Sequence, residues 1–297
     1  MSVVQQRPGE MPELDMRLAD CGGAALHGWQ LGWAQVIGSR HARLSEDSLA
    51  HGSRLLAGAL PRSTPALCLA VADGVGGGAR GEVASAALAA HCIALPGELL
   101  GHTDGIRQWM LLAEGQVQLK LREVSFAPGA ATLAAAWLLP AAAQDGAWCA
   151  HGHILRVGDA RLYRFDGQDL LPLTLDQTYA SVGESPPEGA TPDDPARMVG
   201  TGFIGRPEVL PVQLAAGDTL LLCSDGLHRG LSGEQMADLL RQGGDASVCA
   251  LRLAQAARRG GSDDDITVLL ARAFHPRLPA APVYSGLMRS LRKMFRP

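Results

Sequence analysis

The chain has 297 residues, 47% of them hydrophobic and 19% charged, which is enough apolar content for one large domain or two ordinary ones. Its formal net charge of −4 leaves no basic footprint for nucleic acid. Aromatic residues are only 4%, so the core is expected from Ala, Leu and Val.

Residues 1–25 read as a flexible leader. Their start, "MSVVQQRPGEMPELD", lacks a charged head followed by an apolar core, so no signal peptide is expected. No uninterrupted apolar run reaches ~18 residues, so no membrane-spanning helix is expected, and the protein is assigned to the cytoplasm. Strand-like runs follow at 66–73, 131–139, 148–159, 161–167, 218–225 and 266–273. Each is mostly apolar and bounded by Gly, Asp or Pro on at least one side. The last two are nearly continuous apolar runs, as in strands covered on both faces. Helical patterns occupy 81–95, 105–124, 231–244 and 245–261. Ser232 and Gln235 have capping-box spacing, and Asp245 is placed to cap the last helix. Strands cluster and helices come in pairs, which favours an α+β layered domain over a doubly wound parallel sheet. No internal repeat is present. The segment 179–215 is rich in Pro and Gly and too long for an ordinary connector, so its part over 179–205 reads as a functional flap. The main domain therefore spans 26–274. The remainder, 275–297, carries Arg277, Arg289, Arg292, Lys293 and Arg296 and no acid. It is a candidate for contact with anionic lipid or a partner, set against the plain reading of a solvated end.

Three of the strand-like runs end in an acid beside a glycine: Asp73-Gly74, Gly158-Asp159 and Asp225-Gly226. Asp263, Asp264 and Asp265 precede another, and Glu46-Asp47 follow a basic stretch. A carboxylate at the buried end of a strand is costly unless its charge is compensated. One such acid is ordinarily a turn former. Several at converging strand ends need a shared explanation, and hard divalent cations supply one. Mg²⁺ and Mn²⁺ take oxygen ligands, and Mg²⁺ keeps several waters, so a few carboxylates and one main-chain carbonyl suffice. The glycines after Asp73 would let the main chain approach such an ion.

These motifs resemble, in order, those of the metal-dependent protein phosphatases, the PPM group also called protein phosphatase 2C. The match covers roughly residues 30–273 and rests on "SEDS" (45–48), "ADGVGGGARGEVAS" (72–85), "PGAATLAAA" (128–136), "RVGDARLYR" (156–164), "LTLDQT" (173–178), "DTLLLCSDGLH" (218–228) and "SDDDITVLL" (262–270). Each is weak alone, and the ordered set is specific. The resemblance implies a four-layer α-β-β-α sandwich, two antiparallel sheets flanked by helices, with two Mn²⁺ or Mg²⁺ ions at one end. It implies that Asp73 bridges both ions, that the Gly74 carbonyl binds the first, and that Asp225 and Asp264 complete the second. Glu46 and Asp47 would act through metal-bound water, and Asp159 falls near acids that bacterial members use around a third metal. The implied activity is hydrolysis of phosphoserine and phosphothreonine in a phosphoprotein, opposing a serine/threonine kinase, by a monomer. In that chemistry the ions lie ~3.5–4 Å apart and activate a water, so no protein nucleophile is needed.

The sequence departs from the family where an arginine would hold substrate phosphate: that position is Ala42. Arg40 and Arg43 lie close by, and Arg43 is preferred. The missing arginine motivates an alternative, a pseudophosphatase that binds phosphoproteins without turnover; the retained Asp73, Asp225 and Asp264 argue against it. A small-phosphoester hydrolase is a third reading. Asp265 stands where the family has Asn, which leaves the register open between Asp263 and Asp264; the following Ile-Thr favours Asp264. Other readings are weaker. The glycine loop lacks the Gly-Lys-Ser/Thr ending of a nucleotide site, and "SDDDIT" lacks the spaced acids of a calcium loop. His151 and His153 would share one strand face, which is more often accommodation than metal binding. The six cysteines are scattered without zinc spacing, and Cys223, inside an apolar run, is expected to pack rather than react.

Overall fold

Alternation along the strands sets the layers. The computed structural model describes residues 17–41, 44–55, 65–75, 79–124, 129–142, 148–202, 204–205 and 207–273. Its strands are β1 (Leu18–Leu26), β2 (Trp29–Val36), β3 (Ser48–Arg54), β4 (Ala66–Val75), β5 (Ala130–Ala142), β6 (Trp148–Val157), β7 (Arg161–Phe165), β8 (Leu170–Pro172), β9 (Glu208–Ala215), β10 (Thr219–Cys223) and β11 (Ile266–Ala273). Its helices are α1 (Ala79–Ile93), α2 (Thr103–Val124), α3 (Tyr179–Val182), α4 (Asp225–Gly230), α5 (Gly233–Arg241) and α6 (Ala246–Arg259). The strands form two sheets, β1-β2-β11-β10-β7-β8 and β3-β4-β5-β6-β9, and every described pairing within them is antiparallel.

Side chains alternate across a strand, so each strand feeds two cores. On β4, Leu67, Leu69 and Val71 face the other sheet and meet Leu220, Leu222, Leu269 and Trp29. Cys68, Ala70 and Ala72 face outward against Leu88, Ile106 and Met110 of α1 and α2. On β10 and β11, Leu221, Cys223, Val268 and Leu270 face outward under Cys249, Leu253 and Ala257 of α6. The expected four-layer α-β-β-α sandwich is therefore present. The unbroken apolar runs of β10 and β11 follow from it, because one face meets the second sheet and the other meets helices.

Two boundaries differ from expectation. Residues 18–25, expected within a flexible leader, lie in β1. The cause is a two-residue turn, His27-Gly28, in which both residues have positive φ (48° and 89°), the geometry that closes an antiparallel hairpin onto β2. The long Pro/Gly-rich segment also holds a strand, β9, which buries Val212 and Leu214 between the sheets and Val209 on the outer face. Pro211 disguises it in the sequence, but β9 is an edge strand, where a missing N–H is tolerated. The four expected helices are present. Ser232 and Gln235 close a reciprocal capping box. Asp245 stands at the cap position of α6 but turns its Oδ1 to the Gln30 side-chain amide instead, at 3.1 Å. No helix among the described residues is long and apolar enough to cross a membrane. The basic 275–297 segment lies outside the described residues.

Candidate metal centre

Strand parity carries the first acid inward. Asp73 continues the series Leu67, Leu69, Val71 and so falls on the face between the sheets, at the last turn of β4. The same end of the sandwich receives the C-terminus of β10, the N-terminus of β11 and the β6–β7 turn. Asp225 opens α4 directly after β10, Asp264 lies two residues before β11, and Asp159 sits in the β6–β7 turn. Glu46 and Asp47 arrive from the segment before β3. Asp47, Asp159 and Asp225 are buried, as is Glu46.

Glycine follows Asp73 and Asp225 for a shared reason, and it is not a turn. A Cβ at Gly74 would lie 2.3 Å from the Gly81 carbonyl oxygen and 2.5 Å from that of Glu46. One at Gly226 would lie 1.9 Å from the Asp265 carbonyl oxygen. At both places a second main chain passes against the strand end, and only glycine admits it. These contacts bring the Glu46 segment to Asp73 and the Asp264 segment to Asp225.

The carboxyls raise one another. Asp73 is held far above the usual carboxylate range, by loss of water first and then by Asp47, Asp225, Asp159 and Asp264. Asp47 is likewise raised, by burial and then by Asp265, with hydrogen bonds from Thr267 and Ser224 opposing. Burial, then Asp225, lifts Asp159 to about 7. Asp225 is raised by burial, opposed first by Arg229, and it shares a hydrogen bond with Asp73. Two carboxyls that meet in a hydrogen bond must share a proton unless a cation intervenes.

Asp73, Asp225, Asp264, Asp159 and Asp47 thus stand within one electrostatic group. Glu46 is drawn aside: its Oε1 lies 3.6 Å from His41 Nε2, and its Oε2 lies where a Cβ on Gly81 would clash at 2.2 Å. The three consecutive aspartates divide. Asp263 turns outward, half-exposed, and takes Arg40 through Nη2 at 2.6 Å and Nε at 2.9 Å. Asp264 faces Asp225 and Asp73. Asp265 is 2% exposed and serves the main chain: its Oδ1 accepts from Gly38 N–H at 2.6 Å, and its Oδ2 from Glu46 N–H at 2.6 Å. It also holds His41 Nδ1 at 2.9 Å. Arg43 lies outside the described residues.

Sequence reasoning missed two residues here. Arg229, one turn after Asp225, places Nη2 2.7 Å from Asp225 Oδ2 and Nη1 3.4 Å from Asp264 Oδ2. The i,i+4 spacing from Asp225 could have revealed it, had the short helix α4 been read. Arg258 Nη2 donates to the carbonyls of Ile37 and Asp264, each at 2.9 Å, and so fixes the segment that carries Asp264. His228 is pushed down to about 4 by burial and then by Arg161, so it stands neutral against the Asp159 carbonyl, 3.1 Å from its Nε2.

The donor set fits hard divalent cations. It is all oxygen, it carries more negative charge than Arg229 and Arg40 neutralise, and Asp47 Oδ2 is sealed from water without a hydrogen-bond partner. Among the described residues no three His, Cys, Asp or Glu side chains could hold one ion by themselves. The arrangement therefore suits ions that take only part of their shell from carboxylates and the rest from water and the Gly74 carbonyl, as Mg²⁺ and Mn²⁺ do. Cys223 is buried and its thiol is pushed up to about 12, which removes it as a nucleophile at neutral pH.

No family model matches the chain. The serine/threonine protein phosphatase PstP of Mycobacterium tuberculosis is 32% identical over 241 residues, which is 76% of this chain and 42% of PstP. The chain therefore spans less than half the length of that curated relative. A Listeria welshimeri serine/threonine phosphatase is 34% identical over 125 residues, 39% of this chain and 50% of the relative. Among solved structures, that of the M. tuberculosis serine/threonine phosphatase PstP/Ppp superposes with a TM-score of 0.62 at 28% identity, covering 83% of this chain and 99% of that one. The PstP catalytic domain in complex with 2 manganese ions gives 0.61 at 27% identity, over 83% and 100%. Strand order, glycines that admit a second main chain beside two acids, and these likenesses agree: the chain belongs to the bacterial type of the metal-dependent protein phosphatase family.

Proposed function

We propose that the protein is a metal-dependent serine/threonine phosphatase that hydrolyses phosphoserine and phosphothreonine in phosphoproteins. The observation that carries this reading is the convergence of Asp73, Asp225 and Asp264 from three separate strand ends, where burial and neighbouring carboxylates raise Asp73 and Asp225. Asp73 and the Gly74 carbonyl would hold the first ion, Asp73 and Asp225 the second with Asp264 drawn in to complete it, and Asp159 a third. Glu46 and Asp47 would act through water. Mn²⁺ or Mg²⁺ bound there supplies an acidified water for attack on phosphorus and positive charge opposite the phosphoryl oxygens.

The chain's own residues contribute orientation and field. Asp265 anchors the main chain at Gly38 and at Glu46, and so holds the approach to Asp47, which acts on Asp73. Arg258 fixes the height of Asp264. Arg43 is the candidate to hold substrate phosphate in place of the arginine absent at Ala42. The 179–205 segment, which begins with the single turn α3, would border the substrate as a flap. We further propose a cytoplasmic monomer opposing a kinase, with the basic segment 275–297 a candidate for contact with an anionic membrane.

Hydrolysis of a phosphothreonine peptide tests the proposal. Turnover with Mn²⁺ that disappears with EDTA, with Asp73→Asn and with Asp225→Asn is the expected result. Absence of turnover in Mn²⁺, with peptide binding retained, would overturn it in favour of a binding module.

A further inference from the structure

Arg156 has no part in the proposed reaction, yet it is a charged side chain only 7% exposed near the end of β6. Its Nη2 pairs with Glu208 Oε2 at 2.6 Å, while Nε and Nη1 are sealed and meet no hydrogen-bond partner. Burial depresses its pKa from the ordinary arginine value, with Glu208 and Asp176 opposing. Unpaired N–H groups on a buried cation are costly, and Nη2, under the Glu208 carboxylate, is the nitrogen through which this cation could meet a further partner.

The guanidinium borders a cavity of about 630 Å³ between α2, the 175–182 segment and the start of β9. Its wall mixes apolar side chains, Leu175, Val182, Val209 and Leu210 among them, with polar ones, and a second guanidinium, Arg107, stands on the α2 side. Arg107 is fixed by Nε donation to the Pro207 carbonyl at 3.2 Å. Gln177 forms another side; it is tied to the β6–β7 turn by Gly158 N–H donating to its Oε1 at 2.9 Å. Negative charge at the wall is already engaged. Asp176 is held by Arg161 through contacts of 2.7 and 2.6 Å, and Glu208 by Arg156. A recess of this volume, with apolar side chains beside two guanidinium groups, has the size of a small-ligand site.

We infer that this cavity is a second ligand site, separate from the acid cluster, for a small molecule with an apolar body and a carboxylate or phosphate head that Arg156 and Arg107 bind. Glu208 occupies Arg156 in the absence of that ligand. Its carboxylate is 44% exposed, so it can swing outward and give way to the incoming anion. The site is independent of the phosphatase reading, since it needs neither metal nor phosphopeptide.

Calorimetric titration of the full chain, stripped of metal with EDTA and then dialysed free of the chelator, tests this, with inorganic phosphate in one arm and butyrate in the other. Without metal, the acid cluster repels both anions and cannot report. One saturable equivalent of either probe is expected, weakened at least tenfold by Arg156→Met and several-fold by Arg107→Gln. Glu208→Gln removes the resident competitor and should tighten binding several-fold, while Asp73→Asn should leave it unchanged. The arm that binds names the head group. No saturable binding of either probe to the wild type would overturn the inference, as would affinities unchanged in both Arg107→Gln and Glu208→Gln, neither of which removes a buried charge.

Discussion

Two groups of charged side chains in this molecule are built on opposite principles. Along β7 every charge has a partner: Arg161 takes Asp176 through two short contacts, and Arg164 Nε takes Asp218 Oδ2 at 2.8 Å. At the acidic end, Asp47, Asp73, Asp159 and Asp225 are raised by burial and by neighbouring carboxylates, Asp264 among them, and Arg229 and Arg40 offset only part of that charge. A fold selected for stability alone pairs its buried charges or replaces them with apolar groups. An unmatched excess is expensive, and it supports the proposed entry of a cation from outside at this place.

Four experiments break or sharpen that contrast. The largest effect is expected at Asp73. Asp73→Asn should lower phosphopeptide turnover by about a thousandfold or more, on the scale of losing a main electrostatic element of a catalytic site. Its melting temperature without metal should hold or rise, because a crowded carboxylate has gone; a marked fall would place Asp73 among the structural pairs. Asp218→Asn should do the reverse. Asp218 Oδ2 also accepts from Ala215 N–H at 2.8 Å. Urea unfolding should show a loss of about 2–3 kcal/mol, below the range for fully buried pairs because Arg164 is partly exposed. Turnover at saturating Mn²⁺ should not change.

A third test uses the cation inside the acid group. Arg229 engages two proposed ligands of the second ion, so a divalent cation must enter beside a fixed positive charge. Arg229→Gln should tighten Mn²⁺ binding by roughly tenfold in calorimetry, an effect of electrostatic repulsion at short range. Equal affinity would show that the guanidinium swings clear at no cost. The smallest effect concerns a paired site remote from the acids. His91 stacks on Trp109 with ring centroids 4.4 Å apart, and burial holds its pKa below the ordinary histidine value. Its neutral form is favoured in the fold, so the unfolded chain takes up the proton first as pH drops. Stability should fall gently as pH decreases from about 6.5 toward the lower folded value, and urea titrations of His91→Gln should lack that slope.

The parts legible in the sequence were those that a single strong local pattern controls. β10 and β11 are unbroken apolar runs, and the α5 cap is written in Ser232 and Gln235. Asp73 is marked by the apolar run it ends. β2 and β3 escaped because Gly32, Gln35, His51 and Gly52 interrupt their patterns; each strand is specified by its neighbours more than by itself. Position 265 shows the limit most clearly. Three aspartates in a row are chemically alike, and only the surrounding chain separates the exposed partner of Arg40, the member of the acid group and the buried anchor of Gly38 and Glu46. Arg229 was hidden because its meaning depends on α4, a helix of six residues.

The strand order has a consequence for biosynthesis. β11, the last strand of the sandwich, sits between β2 and β10 and pairs Ile266 with Val36, across most of the chain. The β1–β2 hairpin therefore lacks its neighbour until the chain has emerged as far as Ala273, and closing so distant a pairing is slow. The same insertion delivers Asp264 to Asp73 and Asp225. A nascent or prematurely terminated product would thus hold an incomplete ligand set, and hydrolytic competence would arrive only with the finished domain.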